Sequence, residues 1–548
     1  MQIKWVLNFL DPCKARIDLQ TIEYKKQVDA FKCLNPYNFE EKMESWFDFC
    51  FVSGTFESQN LIFKKRNTFE FELPSPNPYI PETFELERHD NLPMESVELP
   101  LKIDWQTGSP DSKAYLKIDR KFLAPKLCCF FRLHSSVVYR SPREVAMTHM
   151  IMKILEDVLC KESYLADIAG LHYTIWMDGS SGLDFRIEGF SDKLDRLSSL
   201  IFSSLSNLKF KNMDFDRVKE VVERHYHNAL LKPSKHAQFL RIQTLKSCQW
   251  DPREIYIELQ NIYPDDIRMF LTTLLKNNHI TALFVGNCSV ERSAKIIQDV
   301  GESISDLSNC PIPEIAVLKV KENKPILRWE KAINPCEENS SFEYYLQLGY
   351  GRSSTERCFV DMIEQLIYEP CYDTLRTKEQ LGYIVSSGSR LTGGIQGLCI
   401  TIQSRTHPCH YLESRVEIFL EDFGRKLLEM EEDEFETNKK SLLDSKRVKD
   451  RNIAEEAERL WDALVNRGGE FNYKQADIEA LYSVSKDDII QYYNKFILPS
   501  SLSRRKLVVY VDPVSRYDMD DKASIARVLK KEDMEKFHAQ ETFYHCPF

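Results

Sequence analysis

An arginine and a tyrosine seven positions apart, Arg376 and Tyr383, flank Gly382 in the stretch TLRTKEQLGYIVSSGSR (374–390), where a helical periodicity gives way to strict alternation. A guanidinium keeps its charge at any working pH, and a phenol keeps a neutral hydroxyl donor. Converging on one point, the two would stabilise a developing oxyanion. The same spacing also fits a plainer arrangement, in which Arg376 pairs with a nearby carboxylate such as Glu379 and Tyr383 is a half-buried strand residue. In either case Gly382 is expected to let the helix stop and to serve as the hinge.

Other chemistry finds little support. Zinc helices of the HExxH or HxxEH kind need two histidines four apart, so that both imidazoles reach one ion. No two of the 12 histidines have that spacing. His225 and His227 sit roughly 200° apart around a helix, and His225 continues the stripe of Val218, Val221 and Val222, which predicts core packing. His407, Cys409 and His410 lie together in HPCH, in a strand-to-helix loop with no second ligand cluster elsewhere. There is no GxSxG elbow and no P-loop; DGSSG (178–182) reads as a hairpin turn. The acidic run EMEEDEFE (429–436) reads as a helix boundary, its carboxylates favouring the next N-terminus.

The elements that would position these residues follow from patterning. At 548 residues the chain exceeds one core, and about three or four domains are expected. The proline-rich LPSPNPYIPETFEL within 70–100 and SNCPIPEIAVL (308–318) read as connectors. They mark off residues 1–69 as the end of a preceding domain, a linker over 70–100, one domain over 84–306 and another over 314–548, with a C-terminal tail after about 513. The two large domains echo one another. Residues 263–287 and 485–513 each run from an Asp pair through an amphipathic helix to a strand. Residues 169–194 and 381–408 each form two alternating strands around a glycine turn. Phe359, Met362, Ile363, Leu366 and Ile367 make one helical face before the second hairpin. Leu412, Val416, Phe419, Leu420, Phe423 and Leu427 make another after it. The class is α+β: a twice-repeated αβ roll, an antiparallel-rich sheet with helices on one face, preceded by the tail of another such domain.

A formal charge of −11 argues against a nucleic-acid partner. No apolar run reaches the length of a membrane span, and the N-terminal MQIKWVLNFLDP is too interrupted for a secretory core. The 15 cysteines are odd in number and scattered; Cys128, Cys129, Cys160 and Cys399 read as reduced core residues, which places the chain in the cytoplasm.

EPCYDTLRTKEQLGYIVSSGSR, followed by GGIQGLCITIQS and HYLESRVEIFL, resembles the fourth domain of insulysin- and nardilysin-type inverzincins, zinc metallopeptidases of the pitrilysin family. The resemblance runs nearly end to end: SWFDFCFVSGTF is similar to the close of the family's second domain, and LAPKLCCFFRLHSS and ALFVGN to its third. KEQLGYIV is nearer to insulysin than to nardilysin. The resemblance implies four αβ rolls, two per half, around a peptide chamber, and makes this chain the C-terminal half of a peptide-degrading zinc metalloendopeptidase. Zinc and its HxxEH ligands are then expected in the other half, and none is bound by this chain alone, which is inactive by itself. Arg376 and Tyr383 would reach the substrate at the zinc site, and Tyr372 would line a substrate pocket. In the first repeat Tyr173 stands at the comparable hairpin, but Ala166 occupies the position seven residues before it. The expected partners are peptide substrates, the zinc-bearing half in cis or in trans, and a second copy of the chain. The alternative is a catalytically inactive peptide-binding or regulatory partner of the same family.

Overall fold

The computed structural model describes residues 39–46, 50–54, 75–87, 99–105, 111–178, 182–304, 307–308, 311, 316–351, 353–515 and 527–545. The chain divides into two compact units, Met1–Pro76 and Asn77–Phe548. In the first, Phe39–Met43 pairs antiparallel with Cys50–Gly54. Residues 1–38, the opening of the stretch assigned to a preceding domain, lie outside the described residues.

The second unit is built on two six-stranded sheets. The first comprises β1 (Leu101–Ile103), β2 (Lys113–Ile118), β3 (Lys126–His134), β4 (Leu171–Asp178), β5 (Gly182–Phe190) and β6 (His279–Gly286), in the spatial order β1-β2-β6-β3-β5-β4. The second comprises β7 (Ile326–Lys331), β8 (Ser340–Tyr350), β9 (Ile384–Thr392), β10 (Ile395–Ser404), β11 (Lys506–Asp512) and β12 (Arg527–Leu529), in the order β12-β7-β11-β8-β10-β9. Five strands correspond one to one. In each sheet a corresponding parallel pair (β2 with β6, β7 with β11) adjoins an antiparallel run that ends in a hairpin. The edge beyond the parallel pair differs: β1 runs antiparallel to β2, whereas β12 runs parallel to β7. β12 falls in the stretch read as a tail, where three residues give no periodicity to detect.

Helices also correspond. In the first repeat, α1 (Pro142–Ile168), α2 (Leu194–Ser206), α3 (Asn212–Asn228), α4 (Pro233–Leu245), α5 (Pro252–Gln260) and α6 (Pro264–Leu274) precede β6, and α7 (Val290–Ser303) follows it. In the second, α8 (Ser354–Cys371), α9 (Cys409–Glu429), α10 (Glu432–Arg447), α11 (Ile453–Asn466), α12 (Tyr473–Ser483) and α13 (Lys486–Phe496) precede β11. The apolar face expected on α9 is wholly buried, and on α8 Met362, Ile363, Leu366 and Ile367 are buried with Phe359 at the margin. At the start of α6 and α13, Asp266 and Asp488 accept from the backbone N–H of Tyr263 and Ser485, so the echoed Asp pairs are helix-entry devices. The acidic run 429–436 does span a boundary: α9 ends at Glu429, and Glu432, Asp433 and Glu434 fill the first turn of α10.

Helices on one face of each sheet account for only half of the packing. The opposite face of each sheet is covered by a helix of the other repeat. Ile453, Ala457, Leu460 and Trp461 of α11 pack on Cys128, Phe130, Leu283 and Val285 of the first sheet, with Phe130 and Trp461 stacked at 5.1 Å. Reciprocally, Ala237, Leu240 and Leu245 of α4 pack on Tyr345, Cys399, Leu507 and Val509 of the second. Both contacts carry a buried ion pair at their centre. Arg132 grips Asp184 with two 2.7 Å hydrogen bonds beside the Trp461 ring, and Arg241 on α4 donates to Glu343 at 2.7 Å. Burying each large side chain is worth roughly 1.5–3 kcal/mol.

Of the cysteines assigned to the core, Cys128, Cys129 and Cys399 are buried, but Cys160 lies on the exposed side of α1. No helix among the described residues is long and apolar enough to cross a membrane.

Because each sheet depends on the other repeat's helix, residues 77–548 are expected to unfold in one cooperative transition. Trp461→Ala should destabilise the whole unit by about 3–5 kcal/mol, the usual cost of truncating a buried aromatic. Denaturant titration followed by circular dichroism checks this; two resolved transitions in the parent chain would show the rolls to be independent.

Candidate functional site

The corner that carries Arg376 and Tyr383 is made by a change of helix type. Pro370 lies inside α8, where it lacks an N–H and its ring crowds the carbonyl four residues back. From Tyr372 to Lys378 the helix widens into a π-helix, with Glu379 N–H bonding to Thr374 O at 2.9 Å. Such π segments are rare and concentrate at functional sites. Buried Leu375 and Leu381 pin the turn from beneath.

The chain then reverses at Gln380, not at Gly382. Gln380 holds φ +52°, the left-handed region that costs most residues roughly 1–2 kcal/mol. Gly382 serves a different purpose: a Cβ there would fall 2.1 Å from the carbonyl oxygen of Gln403, so only glycine lets the chain close onto β10.

The plainer pairing of Arg376 with Glu379 does not form. Glu379 is held by Arg415 of α9 through bonds of 2.7 and 2.8 Å. Arg376 instead donates through Nε to the backbone carbonyl of Tyr383 at 3.1 Å, with its guanidinium 5.6 Å from the Tyr383 ring centroid. Among the described residues no carboxylate lies within ion-pair distance of Arg376. Nor is Tyr383 half-buried: it is 85% exposed, because it precedes β9 and has no strand neighbour. Tyr372, one turn before Arg376, is 50% exposed. The structure thus brings Arg376 and Tyr383 into contact, and Tyr372 opens the same π-helix as Arg376.

The first repeat has no equivalent corner. Its helix α1 ends at Ile168, and Gly170 (φ +77°) turns directly into β4. Tyr173 lies inside β4, paired with Ile187, whereas Tyr383 precedes β9. Tyr173 packs against the core, its hydroxyl pushed up to about 12 by burial. It is a packing residue, not a silent counterpart of Tyr383.

The histidine assignments divide. His225 lies at the surface, edge-on to His149, and the buried stripe of α3 runs through Phe215, Val218, Val222 and Tyr226. Tyr226 takes the position assigned to His225, and Val221 is exposed as well. In HPCH, His407 stacks on Tyr411, while the buried Cys409 thiol donates to the carbonyl of Ser341. The turn inside DGSSG lies outside the described residues, but Asp178 and Gly182 do pair across it. Among the described residues no three His, Cys, Asp or Glu side chains are grouped to hold a metal ion.

The chain belongs to the M16 peptidase family. Residues 1–258 match the middle or third domain of peptidase M16, and residues 362–461 match the fourth, C-terminal-lobe domain of proteins like the PQQ synthase PqqF. Within the family it is similar to insulin-degrading enzyme: 28% identical to that of Homo sapiens over 93% of this chain and 49% of the relative, and 29% identical to that of Drosophila melanogaster over 97% and 52%. Nardilysin of Homo sapiens is 28% identical over 82% of this chain and 39% of its own length. The chain thus spans about half the length of the curated relatives it matches. Among solved structures, pitrilysin shares the fold with a TM-score of 0.78 over 93% of this chain and 53% of its own, at 16% identity. A peptidase M16 inactive domain from Pseudomonas fluorescens aligns with a TM-score of 0.55 over 78% of this chain, at 14% identity.

The geometry of the corner predicts opposite effects at two neighbouring positions. Gln380→Gly should stabilise the chain by about 0.5–1 kcal/mol by relieving the left-handed residue. Gly382→Ala should destabilise it by about 1–3 kcal/mol through the clash with Gln403. Chemical denaturation reads both, and a neutral Gly382→Ala would refute the close approach.

Proposed function

We propose that this chain is the C-terminal half of an insulysin-like zinc metalloendopeptidase of the cytoplasm, contributing chamber wall and two hydrogen-bond donors to peptide hydrolysis. The observation that carries this reading is the state of Arg376. Its charge is left without a carboxylate, its Nε is fixed on the Tyr383 carbonyl, and its terminal nitrogens and the Tyr383 hydroxyl have no described hydrogen-bond partner. A fixed, un-neutralised cation beside a free phenol is an arrangement for meeting negative charge. The negative charge in peptide hydrolysis develops on the scissile carbonyl oxygen, and donors set in advance stabilise it without reorganising. Tyr372, on the same face, offers an aromatic wall to a substrate side chain.

Zinc and the base that activates water would belong to the other half, joined to this chain or assembled with it. Alone, the chain is expected to hold no stoichiometric zinc and to cleave no peptide; about one tightly held zinc per chain with chelator-sensitive hydrolysis would overturn the division of labour.

The donors are tested in the complete enzyme, with a zinc-bearing half fused to or mixed with this chain. Tyr383→Phe and Arg376→Ala should each lower kcat by roughly 10- to 1,000-fold with little change in KM, the loss expected for one oxyanion donor. Arg376→Lys should rescue only in part, since an ammonium cannot hold the Tyr383 carbonyl and the substrate together. The double variant should lose less than the product of the singles if both donors serve one oxygen. Were KM alone to rise, the corner would be a passive wall and the chain a peptide-binding partner without a catalytic role.

A further inference from the structure

Tyr368, 60% exposed, stands one turn before Tyr372 on α8. In an α-helix, about 100° per residue would carry Arg376 about 80° around from Tyr368. The wider π-helix, at about 80° per residue, brings it back to within roughly 10°. Tyr372 stands about 40° from that line, so Tyr368, Tyr372 and Arg376 share one side of the helix as a column. The residue one turn further back, Glu364, reaches across to β9: a Cβ placed on Gly388 would lie 3.2 Å from its carboxylate. Arg376 meets the other end of the same segment at the Tyr383 carbonyl. From Arg376 to Glu364 the helix rises about 18 Å, and from residue 383 to 388 an extended strand covers about 17 Å. Column and strand thus run side by side, in opposite directions, over the same length.

β9 is the last strand of its sheet, and among the described residues nothing pairs with its outer edge. Its ends are closed by arginine side chains, Arg376 on the carbonyl of Tyr383 and Arg390 on that of Ser389. Between them, in the same alternate set, the peptide groups of Val385 and Ser387 are left open. An open edge of main-chain donors and acceptors is what an extended peptide pairs with, its alternate side chains being read by whatever stands alongside. Here two exposed tyrosines stand alongside.

We propose that the outer edge of β9 and the Tyr368–Tyr372–Arg376 column form one track that takes an extended peptide of about five residues as an added strand, with aromatic or bulky apolar side chains against the two tyrosines. This rests on the peptide-binding reading of the corner and extends it: Tyr368 becomes a specificity residue, and Arg376 fixes where the track ends. Tyr368 does not touch the reacting carbonyl.

The test is direct binding to the full chain, by fluorescence anisotropy, of a labelled octapeptide that alternates threonine with phenylalanine. N-methylation of one alternate set of its amides should weaken binding at least tenfold, and of the other set less than twofold, because only one set faces the strand. Tyr368→Ala should weaken binding of the phenylalanine peptide five- to twentyfold, but of its alanine counterpart no more than twofold; Tyr368→Phe should stay within twofold of the parent. Equal effects from both methylated sets, or a silent Tyr368→Ala, would overturn the track. The measurement needs no turnover, so the two proposals fail separately. Loss of kcat in Arg376→Ala with a silent Tyr368→Ala sinks the track and leaves the oxyanion role. Set-dependent binding with unchanged kcat does the reverse.

Discussion

Each sheet of the second unit has two apolar faces and helices of its own for only one of them. The exchange of α4 and α11 resolves this. A sheet left with Cys128, Phe130, Leu283 and Val285 in water would expose a patch of the kind that drives association. The buried pairs Arg132–Asp184 and Arg241–Glu343 add directionality to a contact whose bulk is non-directional. Removing one partner of such a pair leaves a buried charge uncompensated, which costs far more than the pair itself contributes. The corner at Arg376 inherits its rigidity from this frame. Its helix packs on the second sheet, that sheet is closed from behind by α4, and Glu379 is tied back to α9 by Arg415.

Much of this was legible in the sequence, because long amphipathic periodicities leave few alternatives. The faces of α8 and α9, the two hairpins and the echoed Asp-headed helices all appear in the structure as their spacing implied. The errors occurred where two continuations of a period are equally good. After Val218 and Val222, both His225 and Tyr226 continue a helical stripe, and only packing against α1 selects Tyr226. Cys160 sits in an apolar run yet faces outward, since composition does not say which side of a helix a residue takes.

The exchange left a signal that went unused. LCCFF in β3 and LVVYV in β11 are unbroken apolar runs rather than alternations, the mark of strands buried on both faces. A sheet with helices on one face does not explain them. The site was legible only in part. Types and spacing drew attention to Arg376 and Tyr383 without deciding between a donor pair and a plain structural one, and their role, like that of Tyr372, came from the family resemblance. The division of labour at the turn could not be read, because a glycine next to a helix end invites a conformational explanation. Gly382 is there for space, and the left-handed residue is a glutamine.

The helix exchange also decides what can be inherited. A single roll cut from its neighbour would leave a helix with nothing beneath it and a sheet with nothing above it. Recombination that separates the rolls is thus penalised by the fold itself.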